Sequence, residues 1–227
     1  IVTEFRGRGD EIRVYPLSFE EFYSVYNGDY DDALKNYMSS VELGNDSPKI
    51  RYRIGYIQYN KNNLTEALGS FIRSAEGSPN DTHVLLALAN TLSLRDDNYA
   101  AQGYYEKLLN VLEVQRQLHD VLLPQVREDQ ADIVNTYMKA SNNLGVTLSR
   151  IAQLTGDSKM NAHAIVSLQD SLRAWDALTR NPETMIRLEG SNLAAQNIKY
   201  LTEPYSEYEP GIYTEIPNII NDEEGLE

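Results

Sequence analysis

Apolar positions along this chain recur at helical spacing in paired segments, and small residues mark the same place in successive pairs. In PKIRYRIGYIQYNKNNLTEALGSFIRSAEGSP, Ile54-Gly55 lies in a first predicted helix, Ala67-Leu68 and Phe71 lie in a second, and Pro79 closes the unit. Small side chains at Gly55 and Ala67 let two helix backbones approach where they cross, while Phe71 fills the wedge between this pair and the next. Pro79 stops the second helix and opens the following repeat. One period later, roughly 34 residues, Leu88-Ala89, Ala101 and Tyr105 restate the pattern. One period earlier, Ala33 and Tyr37 do the same within GDYDDALKNYM, and a stretched fourth copy follows in Asn143-Leu144-Gly145, Ser171-Leu172, Trp175 and Pro182.

The pattern predicts an all-α chain of helix-turn-helix units. Residues 1–17 stand outside it, with strand-like alternation in Glu11-Ile12-Arg13-Val14-Tyr15. From Ser18, a predicted N-cap with Glu21 three residues on, Phe19, Phe22, Tyr23 and Tyr26 take helical spacing. Asn27-Gly28-Asp29 makes a turn before a helix over 30–42, and further pairs occupy 48–79 and 82–112. LLNVLEVQRQLHDVLL extends the last helix toward Pro124, and a long helix over 130–154 reaches a turn at Thr155-Gly156-Asp157. Another helix is predicted from Asn161 to Thr179, with Trp175 in its core, and a closing helix from Glu183 to Leu201. Beyond Pro204, the prolines, tyrosines and acidic residues of 204–227 predict an extended arm lying along the helices, its last residues mobile.

Composition narrows the function. The net charge of −14 over 227 residues weighs against nucleic acid or an anionic membrane as the main partner and favours a basic one. A mean hydropathy of −0.48 and the lack of a long apolar run predict no membrane span. Without cysteine there is no disulfide or thiolate chemistry, which fits an oxidising compartment. The chain starts at Ile1 without a signal peptide and so reads as a fragment or processed product. His83, His119 and His163 are far apart and lack ligand spacing, Asp31-Asp32 and Asp96-Asp97 read as turn caps, and Arg8-Gly9-Asp10 reads as a solvated turn. No phosphate loop or nucleophile elbow is present, so the sequence predicts a non-catalytic protein without a cofactor.

The repeated small-residue and aromatic places, the turn chemistry and the period resemble the tetratricopeptide repeat family across 18–182. The resemblance implies a superhelix over 18–203 in which the first helix of each pair lines a concave, protein-binding groove. In the register of Gly55 that face carries Lys49, Tyr52, Arg53, Tyr56 and Tyr59, then His83, Leu86, Asn90 and Ser93, then Lys139, Asn142, Asn143, Val146 and Arg150. Tyrosine suits recognition because it buries area at small entropic cost, although any of these tyrosines can equally pack between helices. Lys49 and Arg53 resemble part of the basic clamp with which chaperone-binding repeat domains hold a terminal carboxylate, but Ser18 and Phe22 stand where Lys and Asn would be required.

The segment FRGRGDEIRVYPLSFEEFY is similar to a piece of a prokaryotic ATP-binding family, without any nucleotide-binding element. SLRAWDALTRNPETMIRLEGSNLAAQNIKYLTEPYSEYEPGIYTEIP resembles the end of spirochaete repeat proteins of the periplasmic flagellar collar. That likeness implies a periplasmic scaffold that docks other collar or motor proteins, with self-association open to it. Two alternatives are a peptide receptor or co-chaperone recognising chain termini, and a groove occupied by the chain's own acidic tail.

Overall fold

The computed structural model describes residues 30–115, 126–185, 188, 191–203 and 209–218. The expectations for residues 1–29, for His119 and for the end of the 108–123 run lie outside the described residues, as do those for 219–227. All regular structure among the described residues is helical, with helices packed on one another within each part of the chain. No described helix is long and apolar enough to cross a membrane. The described residues divide into two compact units, those of 30–74 with 218, and those of 75–217.

In the first unit, α1 (Tyr30–Glu42) packs on α2 (Pro48–Asn60), and α3 begins at Leu64 and runs to Gly77. Ser47 starts α2 by accepting the Ile50 N–H on its hydroxyl at 3.3 Å, and Pro48 follows at the first helical position, where a missing N–H costs nothing. Ala33, Tyr37, Ile50, Ile54 and Ile57 form the core between α1 and α2. The crossing of α2 and α3 explains Gly55: a Cβ there would meet the Phe71 ring at 2.6 Å. Phe71 therefore sits against the glycine of its own pair, and Tyr52 flanks it with ring centroids 5.4 Å apart. A hydrogen bond from the Ser74 hydroxyl to the Pro48 carbonyl, 2.8 Å, ties the two helices together.

In the second unit, α4 (Thr82–Leu94) and α5 (Asn98–Asn110) form the next pair, with a π-helical turn at Val111–Gln115. Asp81 caps α4 through the N–H groups of His83 and Val84. Both intra-pair turns place a non-glycine residue in the left-handed region, Asn62 before α3 and Asp96 before α5, each at φ 60°. Asn and Asp tolerate that conformation best, so the turn chemistry repeats along with the core pattern.

A 25-residue helix, α6 (Ala131–Thr155), then packs along the 22-residue α7 (Ser158–Thr179). Gly156, at φ +73°, ends α6 by donating to the Ala152 carbonyl, and Asp157 caps α7. Gly145 lies where α6 and α7 cross, its notional Cβ 2.6 Å from Leu168 Cγ and 2.9 Å from the Ala164 carbonyl.

Two expectations are corrected here. The fourth copy uses Ala164, Leu168, Ser171, Ala174 and Leu178 as its buried face, and Trp175 is only half-buried. The long helices move the crossing to Leu168, which takes the place an aromatic holds in the shorter pairs. The closing helix is not continuous. A single turn, α8 (Pro182–Met185), is held by the Thr184 hydroxyl on the Leu178 carbonyl, and α9 (Leu193–Thr202) starts afresh at Asn192, which caps Ala195. Residues 209–218 carry no helix, in keeping with the extended arm.

Candidate functional site

In the first unit, the predicted face of α2 is largely engaged in packing. Tyr52 is completely buried against Phe71, so it supports the core instead of presenting a surface. Tyr59 also packs toward Phe71, with centroids 6.5 Å apart, and the Arg53 guanidinium lies 5.7 Å from the centre of the Tyr37 ring. Lys49, Arg53, Tyr56 and Tyr59 are half-buried and form what this face offers to solvent.

The second unit brings its predicted residues together around an occupant. Asn90 on α4 and Asn142 and Asn143 on α6 are fully buried, and they meet the extended segment Pro210–Pro217. Asn143 accepts the Tyr213 N–H on Oδ1 at 2.8 Å and donates from Nδ2 to the Tyr213 carbonyl at 2.8 Å. Asn90 Nδ2 donates to the same carbonyl at 3.0 Å. Two residues earlier, Asn197 on α9 accepts the Gly211 N–H at 2.9 Å and donates to the Gly211 carbonyl at 2.8 Å, with Asn142 adding a donor at 3.1 Å. In an extended chain the N–H and C=O of one residue point to the same side, and alternate residues share that side. Residues 211 and 213 are therefore read as a strand would read them, by carboxamides in place of a neighbouring backbone.

The carboxamides are also bonded to one another. Asn197 donates to Asn142 Oδ1 at 2.8 Å, Asn142 to Asn143 Oδ1 at 3.1 Å, and Asn143 to Asn90 Oδ1 at 2.9 Å. The Tyr105 hydroxyl, from the aromatic place on α5, donates to that same Asn90 oxygen at 2.8 Å. Such a chain fixes every amide's orientation and satisfies buried polar atoms that would otherwise each cost about 1–3 kcal/mol. Neutral carboxamides both donate and accept, and they do not titrate.

Side chains add selectivity to this main-chain contact. Tyr213 is buried, its hydroxyl donating to the Ser191 carbonyl at 3.0 Å and accepting the Leu193 N–H at 3.1 Å, which joins the arm to the start of α9. Ile216 is buried as well, while Thr214 and Glu215 are exposed. Lys139 Nζ stands 4.0 Å from the Glu215 carboxylate. Of the remaining predicted residues, Leu86, Val146 and Ser93 are buried, His83 is half-buried at the start of α4, and Arg150 donates to the Ser93 carbonyl and hydroxyl at 3.3 and 3.2 Å.

The face read from sequence missed Asn197, Tyr105 and the exact seat of Gly211 and Tyr213. Asn197 lay in an expected terminal helix where a lone asparagine reads as surface.

A separate acidic cluster lies outside this site. Tyr137 donates to Glu113 at 3.3 Å, and burial, then the nearby Asp170 and Glu113 carboxylates, push its phenol well above the ordinary tyrosine range. Burial also raises the Asp170 carboxyl, against the opposing pull of Arg173. In comparisons with known proteins, neither a protein-family model nor a curated protein matched the chain.

Proposed function

We propose that this chain is a non-catalytic protein-interaction scaffold of tetratricopeptide type, which docks other proteins during assembly of a periplasmic flagellar collar or a related envelope complex. One observation carries the interaction reading: the face expected to bind partners holds an extended polypeptide by its main chain, through carboxamides from three helices. A face built this way suits peptide segments. The collar assignment rests on the likeness of the C-terminal stretch alone.

Capture of chain termini, as in a co-chaperone, is the weaker alternative. The residues held here, Gly211 and Tyr213, are internal, and their contacts are to amide N–H and C=O groups, not to a terminal carboxylate. A photo-crosslinking amino acid placed at Lys49, His83 or Tyr56 in the native cell tests the proposal. Discrete adducts with collar or motor proteins are expected from these positions and not from Tyr99 or Val166, which are exposed on α5 and α7. Adducts confined to Tyr99 and Val166 would move the docking face and end this reading.

A further inference from the structure

The clefts, the acidic Tyr137–Glu113–Asp170 cluster and the scattered exposed apolar residues each lack a second feature that names a ligand. The asparagine groove has one, because it is filled. We infer that Pro210–Pro217 is an internal ligand, exchangeable for an extended acidic segment of another protein with the pattern small–x–aromatic–x–acidic–apolar. The inference rests on the groove reading above and adds to it both the ligand's chemistry and its competitor.

Three features carry it. First, the floor beneath the arm is polar. Asn90, Asn142, Asn143 and Asn197 can be hydrated when uncovered, whereas a permanently seated element ordinarily rests on apolar side chains. Second, the site is organised without its occupant. The bonds from Tyr105 to Asn90, Asn143 to Asn90, Asn142 to Asn143 and Asn197 to Asn142 involve no arm atom, so the amides stay aimed when the arm leaves. Third, the selectivity elements are few and chemically distinct. Position 213 takes an aromatic with a hydroxyl between Ser191 O and Leu193 N, position 216 an apolar side chain, and position 215 a carboxylate near Lys139. A nine-tenths-buried lysine under the arm, in a chain of net charge −14, selects an acidic ligand locally although the whole molecule repels one.

The arm sits at the high effective concentration of a tether, on the order of millimolar, so it shields the groove from weak competitors. A partner must supply a better version of the same segment or bind while the arm is away.

The test uses the whole 227-residue chain and a fluorescent peptide, Glu209–Pro217, followed by anisotropy. A chain weakened by Tyr213→Ala and Ile216→Ala is expected to bind the peptide at least tenfold more tightly than the wild-type chain. A peptide N-methylated at Tyr213, which keeps every side chain and loses only the N–H that Asn143 accepts, is expected to bind at least tenfold more weakly. Equal binding to both chains, or no binding to a weakened chain with unchanged circular dichroism, would show the arm to be a fixed part of the fold. Should the weakened chain fail to fold, hydrogen exchange on the wild type decides. The Tyr213 amide is expected to exchange much faster than the amides of α6, and equal protection overturns the inference. A wild-type dimer that the arm substitutions dissolve would make the occupant a second copy and equally overturn it. Loss of the collar crosslinks with peptide binding intact removes the collar reading alone, and the converse removes only this inference.

Discussion

The two units solve the same packing problem with opposite chemistry. Beneath α2 the first unit buries an aromatic cluster, Tyr52 and Phe71 closed over Gly55, while the inner faces of α4 and α6 in the second unit bury carboxamides. Aromatic rings are stabilised by leaving water and need no partner beyond close contact. Buried carboxamides require hydrogen bonds, and here much of that requirement is met by a stretch of chain more than a hundred residues from Asn90. A repeat whose inner face is apolar completes itself; one whose inner face is polar specifies something to lie against it.

The sharpest way to break the first half of this comparison is Phe71→Ala. It should cost about 3–5 kcal/mol, the usual range for removing a fully buried aromatic, read as a lower urea midpoint. Asn143→Ala tests the second half. It removes the Asn143 acceptor of the Tyr213 N–H and one of the two amide donors to its carbonyl, should cost about 1–3 kcal/mol, and should raise hydrogen exchange at Gly211 and Tyr213 while α2 keeps its protection. Protection unchanged in the arm would mean the carboxamides do not hold it.

The two crossing glycines sharpen the contrast further. Gly145→Ala drives a methyl onto a backbone carbonyl as well as Leu168, for an expected loss of about 1–3 kcal/mol. Gly55→Ala meets side-chain atoms of the Phe71 ring and no backbone atom, so its loss should be the smaller of the two in parallel melts. Tyr213→Phe keeps the buried ring and removes the hydroxyl, and should cost about 1 kcal/mol.

The smallest effect concerns pH. The folded chain raises the Asp170 carboxyl above its ordinary value, so the fold binds that proton more tightly than the unfolded chain does. The stability this group contributes is present below the ordinary aspartate range and is lost as pH rises through the raised value. Denaturation of Asp170→Asn across that interval should show a flatter pH profile than the wild type, and an identical profile would remove Asp170 from the account.

Much of the helical framework was legible because its causes are local. Ser47-Pro48, Asp81 and Gly156-Asp157 announce helix ends, and Gly55 with Phe71 announces a close crossing. The fourth pair was misread because Trp175 is a stronger signal than Leu168, yet the length of α6 and α7 decides which residue meets Gly145. The expected closing helix is already interrupted at Leu188, and Asn192 caps a new start beyond it. In the site, Asn90, Asn142, Asn143 and Lys139 lay on the face that the family resemblance and the register of Gly55 together picked out. Asn197 and the seat of Tyr213 did not, since the burial of an amide is decided by what packs on it and leaves no periodic trace in the sequence.

Because Gly211 and Tyr213 are gripped by their backbones, substitutions along the arm have very uneven consequences. Thr214 and Glu215 face outward, and changes there leave the amide contacts intact. A lineage of such proteins could rewrite position 214, for instance by exchanging one small side chain for another, while Glu215 opposite Lys139 and the hidden side stay frozen. Covering a polar groove with a peptide thereby gives the molecule a replaceable outer face, revised by point changes without rebuilding any helix.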